Sequence, residues 1–366
     1  MRHGRPRRAA SISSALLSVL ALGGCSSEVP PALVTDPAEC THVAAPDGSD
    51  AAPGTVEQPF ASAQHLVDAL EAGEVGCLRD GRYDESLNFN RGGQDGSPLV
   101  LTSYPGERAE IRGRMQVRPG SDHVTVSRLR LVGDDSGVSP GVFASHAVFE
   151  FNEVTNDNQG ICFNLGYQDA GRADDFVLRS NRIHHCGRLP AENRDHGIYV
   201  NQATGGQILN NVIYDNADRG IQLYPNAVDT LIRGNVIDGN GQGVLFGSEG
   251  DNNPTVRMAQ PSSGNVVEHN VISNSNVRSN VEVSWGGDVG QDNVVRENCL
   301  FGGAEGGEGG VQSDISGVRV TDNVIGAPEY ADREDDDFKI GDDSPCRDVL
   351  KDDSLEATPV TPGALG

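Results

Sequence analysis

In the second half of the chain, polar and apolar positions recur as one unit: an asparagine, a variable residue, then isoleucine, valine or leucine. The unit stands at Asn152-Val154, Asn181-Ile183, Asn211-Ile213, Asn235-Ile237, Asn270-Ile272, Asn298-Leu300 and Asn323-Ile325, at intervals of 24 to 35 residues. Between these units lie short apolar runs led mostly by glycine: Gly160-Ile161, Gly197-Ile198, Gly220-Ile221, Gly243-Val244 and Gly310-Val311, with Asn280-Val281 taking that place once. Each period predicts two or three strands separated by bends, with side chains alternating inward and outward. A repeat of this length, with β-branched strands and no helical periodicity between them, predicts a coil that buries its inner face only by stacking on its neighbours. Asparagine at one bend suits such stacking, because its amide donates to one neighbouring rung and accepts from the other at a spacing of ~4.8 Å. Turn propensity alone accounts for single asparagines, not for seven in register with an apolar residue two places on. Upstream, Pro59 to Ala72 predicts a helix with Pro in its first turn and Phe60, Ala63, Leu66, Val67 and Leu70 on one stripe, able to cover the open end of the solenoid.

Composition narrows the partners. The chain has 366 residues and a single run of repeats, so one elongated domain is the economical reading. With 46 glycines and 5% aromatics it suits tight bends between short strands. A net charge of -25 disfavours nucleic acid or an anionic membrane surface. An acidic substrate would need a bridging cation or a local arginine cluster. Residues 1–25 read as a processing signal: Arg2, Arg5, Arg7 and Arg8 precede an apolar stretch, Ala15 to Leu22, too short to span a bilayer. Leu22, Gly23, Gly24 and Cys25 resemble a bacterial lipobox, which implies lipidation of Cys25. The only membrane contact expected is then an N-terminal lipid anchor on an extracytoplasmic monomer. Residues 26–54 form the tether and N-terminal segment, 55–348 the solenoid, and 349–366 an acidic tail. The six remaining cysteines favour three disulfides in an exported chain, since no metal-ligand spacing is present. Proximity in sequence favours Cys40 with Cys77, Cys162 with Cys186, and Cys299 with Cys346.

Gln58-Pro59-Phe60, Gly81-Arg82-Tyr83-Asp84-Glu85, Gly96-Ser97-Pro98-Leu99 and Tyr104-Pro105-Gly106 resemble the N-terminal part of the pectate-lyase-like proteins. With the later repeats the resemblance covers roughly residues 55 to 348. It implies an all-β, right-handed parallel β-helix solenoid with an N-terminal capping helix. It is specific for fold and weak for activity, because that superfamily holds lyases, hydrolases, epimerases and proteins with no known chemistry.

Strand alternation places Ile198 and Val200 inward and Tyr199 and Asn201 outward, with Gln222 and Tyr224 outward in the next rung. One expected outward column is Cys162, Tyr199, Gln222, Leu245, Glu282 and Gln312; its neighbour is Asn164, Asn201, Tyr224, Gly247, Ser284 and Asp314. The bends before these strands carry Asp195-His196 and Asp218-Arg219, and the segment Gly187 to Arg194 adds a loop able to wall a groove. These residues suit β-elimination on a uronic-acid polymer. His196 or Tyr199 would be the base, Arg219 would neutralise the carboxylate and Asp195 would assist. Tyr224, Gln222, Asn201 and Glu282 would contact sugar. In the plainer alternative, Asp195 pairs with Arg219 to fix the loop and the tyrosines are ordinary. The only lysines are Lys339 and Lys351, beyond the last clear rung, which puts the lysine-based mechanism of some lyases in doubt. An inverting glycoside hydrolase would need two carboxylates roughly 5 to 9 Å apart, with Asp195, Asp218 and Glu282 as candidates. Asp174-Asp175 and Asp195-His196-Gly197 only partly echo the hydrolase motifs. A non-catalytic carbohydrate-binding surface protein is the main competitor. Asp335-Asp336-Asp337 and Asp342-Asp343 read as a solvated segment, although a calcium ion among oxygen-rich loops is compatible with this composition.

Overall fold

The computed structural model describes residues 1, 34–192, 194–247, 261–284, 290–312 and 316–350. Cys25, the 1–25 signal, Asp314, Lys351 and most of the 349–366 tail therefore lie outside the described residues. Three parallel sheets, here A, B and C in the order the chain visits them, carry eleven, ten and eight strands among the described residues. Successive strands of one sheet come from successive turns of a right-handed coil. Stacking keeps like over like. Phe149, Leu178, Ile208, Ile232, Val267 and Val295 form one inward column of sheet A. Val154, Ile183, Ile213, Ile237, Ile272 and Leu300 form its counterpart in sheet B. All twelve are fully buried, and they belong to one continuous core.

The repeated asparagines turn the chain from sheet A into sheet B. The Oδ1 of Asn181, Asn211, Asn235, Asn270, Asn298 and Asn323 each accepts the backbone N–H of the preceding ladder asparagine at 2.8–3.0 Å. Each bend is set by a left-handed residue just before the asparagine, with φ between 52° and 70° at Phe151, Ser180, Asn210, Gly234, His269, Glu297 and Asp322. Six of these seven are not glycine, a conformation disfavoured for L-residues and held by the rungs on both sides. Shorter ladders mark the other bends: Asn216 with Asn240 between B and C, and Asn265 with Asn293 between C and A.

The capping helix is shorter than the stripe predicts. It runs Ala63–Ala69, with the Ser62 side chain accepting the His65 N–H. Phe60 is not helical; it bridges Ala44 as a strand, because its N–H is bonded to Val43. The five stripe residues are nevertheless all buried. The disulfides are Cys40–Cys77, Cys162–Cys186 and Cys299–Cys346, the pairs nearest in sequence. The acidic run at Asp335–Asp337 is solvated at Asp335 and Asp337, with Asp336 partly buried. It belongs to a hairpin, Tyr330–Asp332 with Asp337–Ile340, laid on the outer face of sheet B. There Arg333 binds Asp238 at 2.5 Å and Asp215 at 2.6 Å, and Phe338 packs on Tyr214 at 4.8 Å between ring centres. Among the described residues no helix is long and apolar enough to cross a membrane.

Candidate functional site

The outward face of sheet C brings the predicted residues together over the strands His196–Thr204, Arg219–Val228, Gln242–Gly247 and Val281–Ser284. Ile198, Ile221, Val244 and Val281 are stacked inward, so Tyr199, Gln222, Leu245 and Glu282 share an outward column. At the strand starts, His196, Arg219 and Gln242 are in register. The His196 ring meets the Tyr199 ring edge-on at 5.2 Å, which places it on the outward side despite the parity of the strand.

Two column assignments change. Asn164, not Cys162, lies beside Tyr199, because Phe163 and not Ile161 pairs with Ile198. The run at Gly160-Ile161 is thus two residues ahead of its strand, and Cys162 is taken up by its disulfide. Asn201 falls where the register shifts between Val200 and Gln202, so Gln202 rather than Asn201 continues the pairing, opposite Asn226. Tyr199 and Tyr224 are half-buried, and Tyr224 adds to the upward shift that burial imposes on the Tyr199 phenol.

Asp195 does not pair with Arg219. Its carboxylate accepts Arg188 Nε at 2.6 Å and Nη2 at 3.0 Å, fastening the 187–194 loop to the strand start. Asp218 accepts the backbone N–H groups of Arg194 and Asp195 at 2.7 and 2.8 Å. Both aspartates are therefore committed to the bend, which weighs against their serving as the acid and base of a hydrolase. Glu282 is held by Gln242 and, at 3.3 Å, by Arg278. Gln242 and Arg278 were not anticipated. Gln242 stands immediately before Gly243, as His196 and Arg219 stand before Gly197 and Gly220, so that signal was present; Arg278 carries none.

Burial tunes these groups. His196 is 2% exposed and Arg219 1%. Desolvation, reinforced by the adjacent Arg219 charge, holds the His196 pKa well below its ordinary value, so the imidazole is neutral at pH 7. Burial lowers Arg219 to about 10, opposed by Asp218 and Glu282, and it stays cationic. Burial pushes the Tyr199 phenol well above its usual range. His196 Nδ1, Gln222 Oε1, Gln242 Oε1 and Asn164 Oδ1 are buried without a hydrogen-bond partner, an unusual concentration on one face.

Calcium takes six to eight oxygen ligands, usually with several carboxylates. Among the described residues this face offers Glu282, already bound by Gln242 and Arg278, and amide oxygens. That donor set does not fit a calcium cage. Glu268, His269 and Glu297 come together elsewhere, where the strands Val266–Glu268 and Asn293–Arg296 of sheet A end, but Arg296 holds Glu268 at 2.7 and 2.9 Å.

A family model described as the right-handed beta helix region matches residues 119–259. The pectate lyase PEL9 of Emericella nidulans is 41% identical over 70 residues, 19% of this chain and 17% of that protein. The uncharacterized protein YwoF of Bacillus subtilis is 37% identical over 68 residues, 19% and 14%. The chain thus matches less than a fifth of the length of either relative. Among solved structures, pectate lyase Pel9A superposes with a TM-score of 0.54 at 15% identity, covering 80% of this chain and 83% of that one. A rhamnogalacturonan lyase gives 0.52 at 14%, covering 82% and 94%. The chain has the pectate-lyase-like right-handed β-helix fold.

Proposed function

From the fold shared with these lyases, we propose that this protein acts on a uronic-acid polysaccharide by β-elimination at the outward face of sheet C. The observation that carries the reading is the contact of His196 with Tyr199, in register with Arg219 on the next rung. In the elimination a base removes the proton on the carbon next to the uronate carboxylate. The electron pair forms the C=C bond, the glycosidic C–O bond at the β carbon breaks, and the leaving oxygen gains a proton. Neutral His196 accepts the first proton at its unpartnered Nδ1. Arg219 offsets the charge that grows on the carboxylate. Tyr199, protonated at every working pH, donates to the leaving oxygen, and Tyr224 and Gln222 hold the sugar.

The near-complete burial of His196 and Arg219 favours a second reading, a carbohydrate-binding module using the Tyr199 and Tyr224 platform alone. Uronic-acid polymers offered to the full chain with and without calcium separate the two. The lyase reading expects unsaturated ends absorbing in the ultraviolet, lost in His196→Gln with an unchanged melting temperature. Binding without that absorbance would leave the module. An extracytoplasmic protein anchored by a lipid on Cys25 is part of this reading, supported by three disulfides suited to an oxidising compartment. Palmitate labelling that persists in Cys25→Ser would refute it.

A further inference from the structure

An acidic polymer approaching a chain with 53 acidic and 28 basic residues meets repulsion unless cations are concentrated somewhere. On sheets A and B, most strand arginines among the described residues are matched to carboxylates, Arg182 instead meeting the Tyr214 hydroxyl and the Asp336 carbonyl. Arg79 binds Glu107, Arg130 binds Glu110 and Glu153, Arg179 binds Glu150, and Arg296 binds Glu268. The outward face of sheet C differs at the strand Met115–Val117, where Met115 and Val117 are buried and Gln116 points out. Arg114 and Arg118 flank Gln116 with the same parity. Arg118 Nε and Nη2 donate to Asn88 Oδ1 at 3.1 and 2.8 Å. With the Gln116 amide turned so that its oxygen faces Arg114, it accepts from Nε at 3.2 Å and Nη2 at 2.6 Å. Neither guanidinium has a carboxylate at ion-pair distance among the described residues. Neutral amides orient both cations and leave their charge uncompensated.

This pair shares the column of the candidate site. Gln116, Gly141, Asn164 and Tyr199 follow one another in register. Three rung steps separate Gln116 from Tyr199, about 14 Å at the usual strand spacing. At Gly141 the missing side chain gives room to the Phe143 ring, which a Cβ there would meet at 3.1 Å, so an apolar surface bridges the two polar stretches. Asn164, 95% buried by its 5% exposure, turns an unpartnered Oδ1 into the same stretch. We infer that Arg114 and Arg118 form a carboxylate-binding subsite for an acidic polysaccharide, several sugars away from the residues beside Tyr199. This rests on the proposed function for its ligand class but not on cleavage. The subsite makes affinity depend on chain length, since only a chain long enough to span the rungs gains both sets of contacts.

The test uses the full chain carrying His196→Gln, so that any turnover does not consume the ligand, titrated calorimetrically with galacturonate dimers and decamers, then with alginate oligomers. The expected result is tighter binding of the decamer, weakened about tenfold or more by R114Q/R118Q and by added salt, with dimer binding unchanged. R114K/R118K should recover part of the loss. R118Q alone, at an exposed position, serves if the double variant does not fold. Decamer binding that survives R118Q and R114Q/R118Q unchanged overturns the subsite and leaves the β-elimination reading standing. Length-dependent binding lost in the variants, in a wild type that never cleaves, supports the subsite and sinks the lyase. A wild type that binds no uronate polymer overturns both.

Discussion

Replacing Asn211 by alanine removes the middle of the A-to-B ladder. Its Oδ1 accepts the Asn181 N–H at 2.9 Å and the Asn181 Nδ2 at 2.9 Å, while its Nδ2 donates to the Leu178 carbonyl at 2.9 Å and to Asn235 Oδ1 at 3.0 Å. After Asn211→Ala the Asn181 Nδ2 keeps Phe149 O and the Asn235 Oδ1 keeps the residue 211 N–H. One buried group has nothing left to bond, the Asn181 N–H; the Leu178 carbonyl loses its second partner but keeps its place in the sheet A ladder beside Ile208. A buried group left unmet costs ~1–3 kcal/mol, so the substitution should cost about that much or somewhat more once the other lost amide bonds are counted, a sizeable part of the ~5–15 kcal/mol that holds a domain folded. Asn323→Ala makes the matching control, because Asn323 ends the ladder in partly exposed surroundings and should cost about 1 kcal/mol. Urea unfolding followed by far-ultraviolet dichroism measures both, with the midpoint read at constant slope. Equal costs at the two positions, or a loss below about 1 kcal/mol at Asn211, would show that the ladder follows the stacking and does not enforce it.

Gly166 has φ +74°, and a Cβ there would stand 2.1 Å from the Gln202 carbonyl in a strand that carries the site; Gly166→Ala should cost roughly 2 kcal/mol or more and weaken ligand binding, both measurable by melting and titration. His196 is neutral in the fold while its unfolded counterpart protonates near pH 6.5. The unfolded chain therefore binds the extra proton as pH falls, and stability should drop by up to about 1.4 kcal/mol per pH unit below 6.5 until the depressed folded pKa is reached. His196→Gln should flatten that slope between pH 6.5 and 5.5, and an unaltered slope would mean the imidazole is not buried neutral. Tyr224→Ala should reduce polysaccharide affinity about fivefold with little change in melting temperature; an unchanged affinity would remove Tyr224 from the platform.

The coil was legible because its cause is local and repeated: an amide that bonds the next rung leaves an asparagine at every turn from Asn152 to Asn323. The ladders at Asn216–Asn240 and Asn265–Asn293 span too few rungs to stand out by eye. The left-handed bends were illegible because neighbouring rungs, not glycine, hold Ser180, His269 and Glu297 there. Tyr199, Gln222 and Glu282 followed from strand parity. Cys162 and Asn201 were misplaced by a two-residue offset and a register shift, which parity cannot register. Asp195 looked catalytic beside His196, but its partner Arg188 sits in a loop whose path no periodicity encodes.

The hairpin at Tyr330–Ile340 bears on how the molecule is completed. A chain emerging amino end first has wound most of its coils before Arg333 and Cys346 become available. Until then Asp238, 1% exposed in the finished protein, has no guanidinium beside it, and Cys299 has no thiol to join. The final stretch thus acts as a latch on coils made much earlier, tying residues 95 positions apart in the case of Asp238 and Arg333. Proteolysis between Ile325 and Tyr330 would cut no rung and leave the latch held by the Cys299–Cys346 bond, so only reduction as well would release it.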